Sequence, residues 1–513
     1  MKKIFYVFFM TCLLFGAVAC GGKTTTTQKP TTTTTKSKVT TTTTQKPTTT
    51  TTKEKVEYPD LQGKTFTIMC DNKASCDPRS DSYQRLFKKE KIANIAEVEK
   101  NYNVKIEYVN YPSVASWGGA RERWIVEQAT LGTKEAMVYE LTSYELGILS
   151  STVNEDGKSS ILEISEYIEK YGVKGYWPEK LQYGQFLGKT YSYDDYYSIA
   201  DEGIYYNIDL LESFGYTGDN DPAELWLAGE WNWAKFQEIV EDLNSKMDET
   251  ANVNPQWPMG GRTYNWAYQF IGSNGGHLVT PNLEVLLDSE ANIETLNYMN
   301  SLYSQAGMWK DDAALSNASQ TEFVQGNIAF HNGQSYWIFQ DNKWKNAEFR
   351  IGYVPYPVGP QVEAGKAEYY INDVYGKPIY VFNPSFEPQG NIADKFDFHH
   401  ETNFRIWADI QHFPEYDEET GKLSLDEIKD EWEFTRLEKY YDSEASIAAH
   451  LSIIDKNYPD LFYASSNSNN HNESSYMIKI QACVQFGEVR QMMEGIKDSV
   501  VYDFEELFGV KQK

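Results

Sequence analysis

The chain has 513 residues, a formal net charge of −27 and 15% aromatic residues. Nine of its 47 Lys and Arg and one of its 74 Asp and Glu lie in residues 1–56, so the remainder carries 38 basic against 73 acidic residues, a net of −35. That balance excludes nucleic acid and anionic lipid as partners of the remainder, because both repel it, and favours a neutral or cationic solute. Five Cys, seven His and no CxxC or HExxH exclude a disulfide framework and a metal-hydrolase motif, so neither a metal nor a cofactor is expected.

The N-terminus reads as an export signal. Lys2 and Lys3 precede an apolar run, Ile4 to Ala19, which is short for a membrane span and ends in small residues. Ala17-Val18-Ala19-Cys20 resembles a bacterial lipobox, which implies a signal peptide over 1–19 and lipidation of Cys20. A lipid chain contributes about 0.8 kcal/mol per buried methylene, so several chains anchor firmly. Residues 20–56 then form a Thr-rich tether in which Thr24 to Val39 recurs almost unchanged as Thr41 to Val56. It has no large apolar side chains from which to build a core. A flexible tether of this length spans on the order of 35 Å on average.

Residues 57–513 are too many for one core and suit two lobes. Thr65 to Met69 predicts a strand, followed by a polar loop from Asp71 and a helix over Tyr83 to Tyr102. Val104, Ile106 and Tyr108 alternate with polar residues as in a half-buried strand. Arg121 to Leu131 predicts a helix closed by Gly132, and Met137 to Leu141 a third strand. Strands separated by helices at this rhythm imply a parallel sheet, whose ligands sit off the carboxyl ends of the strands. Those ends are Asp71-Asn72, Asn110 to Trp117 and Glu140 to Tyr144. Downstream, Ser159-Ser160 is expected to cap a helix with Ile161, Ile164 and Ile168 on one face and Gly172 at its end. Asn232 caps another whose Phe236, Ile239, Val240 and Leu243 share a face, and the chain from Glu401 onward reads as mostly helical. Asp219, Asn220 and Asp221 lack the Gly and terminal Glu of a calcium loop and predict a turn.

Several blocks then occur in a recognisable order: Gly203 to Leu210 (GIYYNIDL), Trp233-Ala234-Lys235-Phe236, Trp266 to Phe270 with Asn274-Gly275-Gly276, Phe323 to Phe330 with Gly333 to Trp337, and Ile351 to Pro360. Together, from about residue 60 to 410, they resemble the extracellular solute-binding proteins of carbohydrate ABC importers, the family 1 type related to maltose-binding protein. The resemblance implies an α/β, two-lobed periplasmic-binding-protein-like fold of type II, with the ligand in a cleft between lobes joined by a multi-strand hinge. It implies crossings near Tyr193 to Ile199, near Asn332 to Tyr336 and near residue 400. The N-terminal lobe is then expected to hold 57–195 and 336–400, and the C-terminal lobe 196–335 and a mostly helical 401–513. The third strand lacks the family's preceding Pro-Asp, and the tail after residue 410 is longer than the family's.

A sugar presents apolar C–H faces and a rim of hydroxyls, so its site needs flat aromatics beside directional polar groups. The aromatics expected at the cleft are Trp117, Tyr193, Tyr197, Trp266, Tyr336 and Trp337. The polar partners are Asp71, Asn72, Glu140, Asp194, Asp195, Asn265, Asn274, Asn372 and Asp373, since ionised carboxylates make the stronger, charge-assisted bonds to hydroxyls. Trp266 and Trp337 align with the family's stacking positions, and Tyr336 is the alternative to Trp337 because the alignment there needs an insertion. Asp194 and Asp195, adjacent on an extended segment, point to opposite faces and cannot flank one glycosidic bond, so no catalytic residue and no enzyme is expected. The expected function is that of a monomeric lipoprotein on the outer face of the cell membrane, held there by its lipid alone. It would capture a carbohydrate, most simply an oligosaccharide, and deliver it to ABC importer permease subunits. A polyamine-type cationic solute and a Thr-stalked adhesin are the alternatives.

Overall fold

The computed structural model describes residues 57–511 except 117, 154–156, 174–181, 196–198, 248–253, 311–318, 341–342, 389–396, 415, 418–421 and 466–474, and describes no side chain of 415–423. The expected signal peptide, the lipidated Cys20 and the tether therefore lie outside the described residues, as do Trp117 and Tyr197. Residues Glu57–Lys513 form one compact unit.

In chain order the strands of its two large sheets are β1 (Thr65–Cys70), β2 (Lys105–Asn110), β3 (Val138–Thr142), β4 (Glu202–Asn207), β5 (Trp257–Gly260), β6 (Trp309–Lys310), β7 (Ile328–Gln334), β8 (Ile351–Val354) and β9 (Pro378–Phe382). The first sheet has the order β9-β3-β1-β2, the second β8-β4-β7-β5-β6. In the first, β1 runs parallel to β2 and β3, in register Thr65 to Lys105 and Ile68 to Val138, and β9 closes the edge antiparallel to β3. The alternation expected in β2 is present, with Ile106 and Tyr108 buried between exposed Lys105 and Glu107. In the second sheet β4 is antiparallel to both neighbours, so Glu202 at its start lies beside Gln334 at the end of β7.

The helices begin and end where local chemistry dictates. Helix α1 (Lys73–Cys76) is capped by the Asn72 side chain, which accepts from the Ala74 N–H at 3.0 Å. Helix α2 (Lys88–Asn101) starts five residues later than its expected Tyr83, because Phe87 adopts a left-handed conformation (φ 57°) that interrupts the helix. Helix α3 (Gly119–Leu131) ends on Gly132 at φ 67°, the left-handed cap that glycine adopts without strain. Asn232 caps the helix Trp233–Lys246 through the Lys235 N–H, and Phe236, Ile239, Val240 and Leu243 are buried. Helix α4 (Thr263–Ser273) follows β5 and is buried along its whole length. The helix expected from Ser160 is confined to Ser165–Tyr171, because Leu162 and Ile164 donate to Phe382 and Thr190 as extended chain. Asp219 to Asp221 form a turn in which Asp221 caps the following helix Pro222–Leu227.

The lobe boundaries differ from expectation in two places. Residues 351–354 pair with β4, so this stretch belongs to the second sheet and not to the N-terminal lobe. Beyond it, Ile371–Asp373 pairs with Asn457–Pro459, binding the tail to the same lobe. The chain returns to the first lobe only at Tyr375 to Pro378, rather than near Asn332. There Gly376 holds φ 68°, and an added Cβ would lie 2.4 Å from the Ser143 hydroxyl, so the crossing requires glycine. Helix α5, His400–Ile410, packs on α2 and β9 and belongs to the first lobe, not to the C-terminal one. The helix Tyr476–Phe486 packs on the second, and Val489–Phe508 packs both on the second and on the helix Leu146–Ser151 of the first. Among the described residues no helix is long and apolar enough to cross a membrane.

Candidate functional site

Two adjoining cavities, of about 440 and about 270 Å³, open between the sheets and share Arg85, Gln334, Tyr336, Gly376 and Pro378 on their walls. The larger is bordered on the first lobe by Asp71, Arg85, Arg121 and Glu140, and on the second by Glu202, Arg262, Asn265, Trp337, Lys343 and Tyr375.

The first-lobe wall comes from the carboxyl ends of β1 and β3. Glu140 accepts from the Asp71 N–H at 3.0 Å and from Cys76 Sγ at 3.1 Å, and is bonded to the Arg85 guanidinium. Burial alone would raise its carboxyl, but the Arg85 charge and these donors outweigh burial and hold it below the usual carboxylate value. Arg121, buried in α3, is bonded to Asp71, donates to the Ser116 carbonyl at 2.8 Å and stacks 4.5 Å over the Tyr111 ring. Cys70, Cys76 and Cys483 are buried free thiols. The Cys70 and Cys76 sulfurs and Glu140 lie within 4.8 Å of one another, but the Arg85 guanidinium is 3.5 Å from the Cys76 sulfur and already supplies the positive charge there.

The second-lobe wall is aromatic. Trp337 is 6% exposed, with the Lys343 ammonium 4.3 Å over its ring and Trp344 packed 5.1 Å behind it. Its indole N–H is buried, with the Tyr336 hydroxyl as its partner. Tyr336, 37% exposed, stands perpendicular to Trp337 and borders both cavities. Asn265 accepts from the Tyr375 hydroxyl. Helix α4 starts at Arg262, which donates to the Tyr264 hydroxyl at 3.0 Å. Glu202 accepts from Gln334 at 2.7 Å through one oxygen, while the other is buried without a partner. Burial, helped by the Asp201 charge, pushes this carboxyl up to about 8. Burial and the Arg262 charge bring the Lys343 ammonium down to about 8.

Of the residues expected at the site, Asp71, Glu140, Tyr336 and Trp337 border the larger cavity, and Asp194, Asp195 and again Tyr336 the smaller. Asp194 accepts from Ser192, whereas Asp195 is held by the Lys91 ammonium at 2.7 Å and the His412 N–H at 2.9 Å. Asp373 sits one layer back, 2.9 Å from the Lys377 ammonium. Asn72 is an exposed helix cap. Trp266 is a correction. It is fully buried, enclosed by Phe236, Phe270, Trp309 and Tyr356, and its N–H is spent on the Gly260 carbonyl at 2.8 Å. Asn274 is a second, since its buried amide accepts from the Gln361 N–H at 3.0 Å and donates to Glu294 at 3.2 Å, so it knits a turn. Tyr193 and Asn372 are likewise internal: the Tyr193 hydroxyl accepts from the Val173 N–H, and the Asn372 amide donates to the Tyr268 carbonyl.

Sequence reasoning missed Arg85, Arg121, Glu202, Arg262, Gln334 and Lys343. Arg262 follows β5 and Gln334 is the last residue of β7, so both were reachable by the rule that found Asp71. Glu202 was not, because an antiparallel β4 brings its amino end to the cleft.

No protein-family model and no curated protein sequence matches this chain. Solved structures do. The ABC substrate-binding protein Lmo0181 of Listeria monocytogenes, in complex with cycloalternan, shares 15% identity at a TM-score of 0.53, over 88% of this chain and 100% of that one. The sugar-binding protein MalE of Xanthomonas citri shares 14% at 0.54, over 87% and 97%. UgpB of Mycobacterium tuberculosis, in complex with glycerophosphocholine, shares 12% at 0.53, over 86% and 98%. This chain therefore has the two-lobed α/β fold of the ABC-transporter solute-binding proteins of the maltose-binding type.

Proposed function

We propose that this protein is the solute-binding component of an ABC importer, anchored outside the cell through Cys20, and that it captures a carbohydrate for the permease. The observation that carries this reading is the composition of the inter-lobe cleft. Tyr336, Trp337 and Tyr375 line it beside Asp71, Asn265 and Gln334, and one Glu202 oxygen is buried there without a partner. Buried polar groups left unmatched are costly, and a ligand rich in hydroxyls would match them. The fold supports the reading, as does the cycloalternan complex of one structural neighbour. A polyamine fits poorly, because Arg262 and Lys343 stand on the second-lobe wall.

Thermal-shift and calorimetric screening against saccharides, peptides and polyamines tests the proposal, since a ligand that binds only the folded state raises the melting point. A saccharide should bind and also reduce the radius of gyration in solution scattering, because a ligand touching both lobes favours the closed form. Binding confined to peptides or polyamines would overturn it. Cys20→Ala should release the protein from the detergent phase, and retention there would overturn the anchor.

A further inference from the structure

Two of the buried thiols lie side by side behind the first-lobe wall. Cys70 is the last residue of β1 and Cys76 the last of α1. Between them Asn72 caps α1, and the Lys73 N–H donates to the Asn110 side chain at 2.8 Å, which pins the helix against the end of β2. The chain doubles back over this short stretch and returns Cys76 to Cys70, the two sulfurs lying within 4.8 Å of each other. A disulfide needs about 2.05 Å between its sulfurs, an approach that side-chain rotation in so tight a turn supplies. Cys483 lies outside this cluster.

The two thiols are not equivalent. Cys70 is fully enclosed, its sulfur 3.4 Å from the Val109 carbonyl. Cys76 borders the smaller cavity, with the Arg85 guanidinium 3.5 Å from its sulfur. A bond from Cys70 above all, with help from the Arg85 charge, holds the Cys76 thiol below the usual thiol value in spite of burial and the Glu140 charge. The same bond, and burial, push Cys70 up. Cys76 is therefore the sulfur that a reagent in the cleft meets and the better nucleophile, and Cys70 stands behind it as the resolving thiol.

Given the reading that places the domain outside the cell, where disulfides persist, we infer that Cys70 and Cys76 are joined by a disulfide in the exported protein, formed from the cleft side. The Cys76 thiolate attacks a disulfide oxidant, RSSR, forming a bond to one sulfur and releasing the other as a thiolate. Cys70 then gives up its proton and attacks the Cys76 sulfur, expelling the second thiolate. Two protein thiols are oxidised, and one RSSR is reduced to two RSH. The product closes a ring over Asp71 to Ser75. Asp71 is bonded to Arg121 and borders the larger cavity, so the bridge fixes the rim of the first-lobe wall. Glu140 loses the Cys76 S–H and keeps the Asp71 N–H and Arg85.

The test has two arms. In the first, the full-length protein is extracted from the bacterial cells that express it under acidic, thiol-blocking conditions, digested with trypsin and read by mass spectrometry. Trypsin cuts after Lys73, so a bridge joins the peptides 65–73 and 74–79, which reduction separates. Most of the protein should carry the joined pair, with Cys483 alkylated. Fractionation of the same cells reads location independently. Surface protein with both thiols free overturns the inference and leaves the export reading standing, whereas protein retained inside the cell with free thiols overturns both. In the second arm, reduced full-length protein meets hydroxyethyl disulfide without denaturant. It should lose two thiols, and its ligand-free melting point should rise by a few degrees and fall back with dithiothreitol. Cys70→Ala should stop at a mixed disulfide on Cys76, and Cys76→Ala should keep Cys70 unmodified. A mixed disulfide on Cys76 that wild type never resolves overturns the inference. So does protection of both thiols by one equivalent of zinc, which would make Cys70, Cys76 and Glu140 a metal site.

Discussion

The two walls of the cleft are built on different principles. Among the described residues the basic side chains of the first-lobe wall are matched to carboxylates: Arg85 to Glu140, Arg121 to Asp71, Lys91 to Asp195. Glu140 and Asp71 lie at the carboxyl ends of the parallel strands β3 and β1, whereas Lys91 stands on α2, and the Asp71 and His412 N–H groups knit Glu140 and Asp195 to the backbone. On the second lobe the wall is Trp337, Tyr336, Arg262 and Lys343 around Glu202, whose second oxygen is buried without a partner. A polar group already satisfied within the fold contributes to stability, whereas one held unsatisfied is reserved for something that arrives later. The first wall thus reads as a rigid frame and the second as the recognition surface.

The largest expected effects fall on the frame and on the core beneath the recognition surface. Glu140→Ala leaves the Arg85 guanidinium without its carboxylate and strands two further donors, so it should cost about 3–5 kcal/mol of stability. Trp266→Ala empties a closed aromatic cage and should cost a similar amount, about 3–5 kcal/mol. Chemical denaturation of the ligand-free protein measures both. A Trp266→Ala variant with wild-type stability but lost ligand binding would return Trp266 to the recognition surface and undo the contrast between the walls.

Trp337→Phe isolates the recognition surface. It keeps an aromatic face against Trp344 and deletes the N–H that bonds the Tyr336 hydroxyl. Stability should fall by no more than about 1 kcal/mol, the worth of one hydrogen bond. Saccharide affinity should fall by about 1 kcal/mol, roughly fivefold, because Tyr336 loses the bond that orients it beside the cavity. The opposite pattern, with stability lost and affinity kept, would make Trp337 part of the frame.

How far the sequence could foresee this division follows from geometry. The first lobe was legible because its strands are parallel and alternate with helices, so following each strand to its carboxyl end leads directly to Asp71 and Glu140. The second was less so. Its sheet is mixed, and the antiparallel β4 turns its amino end, Glu202, into the cleft. Trp266 misled for a related reason. Every residue of α4 is buried, so apolar periodicity distinguishes no face of that helix and cannot say which aromatic looks outward. The basic residues were hidden by the acidity of the whole: an excess of carboxylates over the domain says nothing about the few side chains at one cavity. The multi-strand hinge was foreseen, but the return at Gly376 was not, because β8 and the Ile371–Asp373 strand extend the second lobe before the chain crosses.

The smallest expected effect concerns pH, and it tests whether Glu202 is the uncharged member of its wall. Asp201, Lys377 and Asp373 face it from its surroundings, and Gln334 bonds one of its oxygens. Burial raises its folded-state value to about 8 from an ordinary 4.5. Between those values the folded protein holds a proton that the unfolded chain has lost. Stability from this group is therefore fully present below about pH 4.5 and is lost progressively as the pH climbs to about 8. Glu145, buried at the end of β3 and also raised to about 8, adds a slope of the same sign from the frame. Glu202→Gln keeps an acceptor for Gln334 and abolishes only its own share. The variant's melting point should exceed that of wild type by a few degrees above pH 8 and converge with it towards pH 5. Identical pH profiles of melting for the two proteins would mean that Glu202 is already ionised at neutral pH.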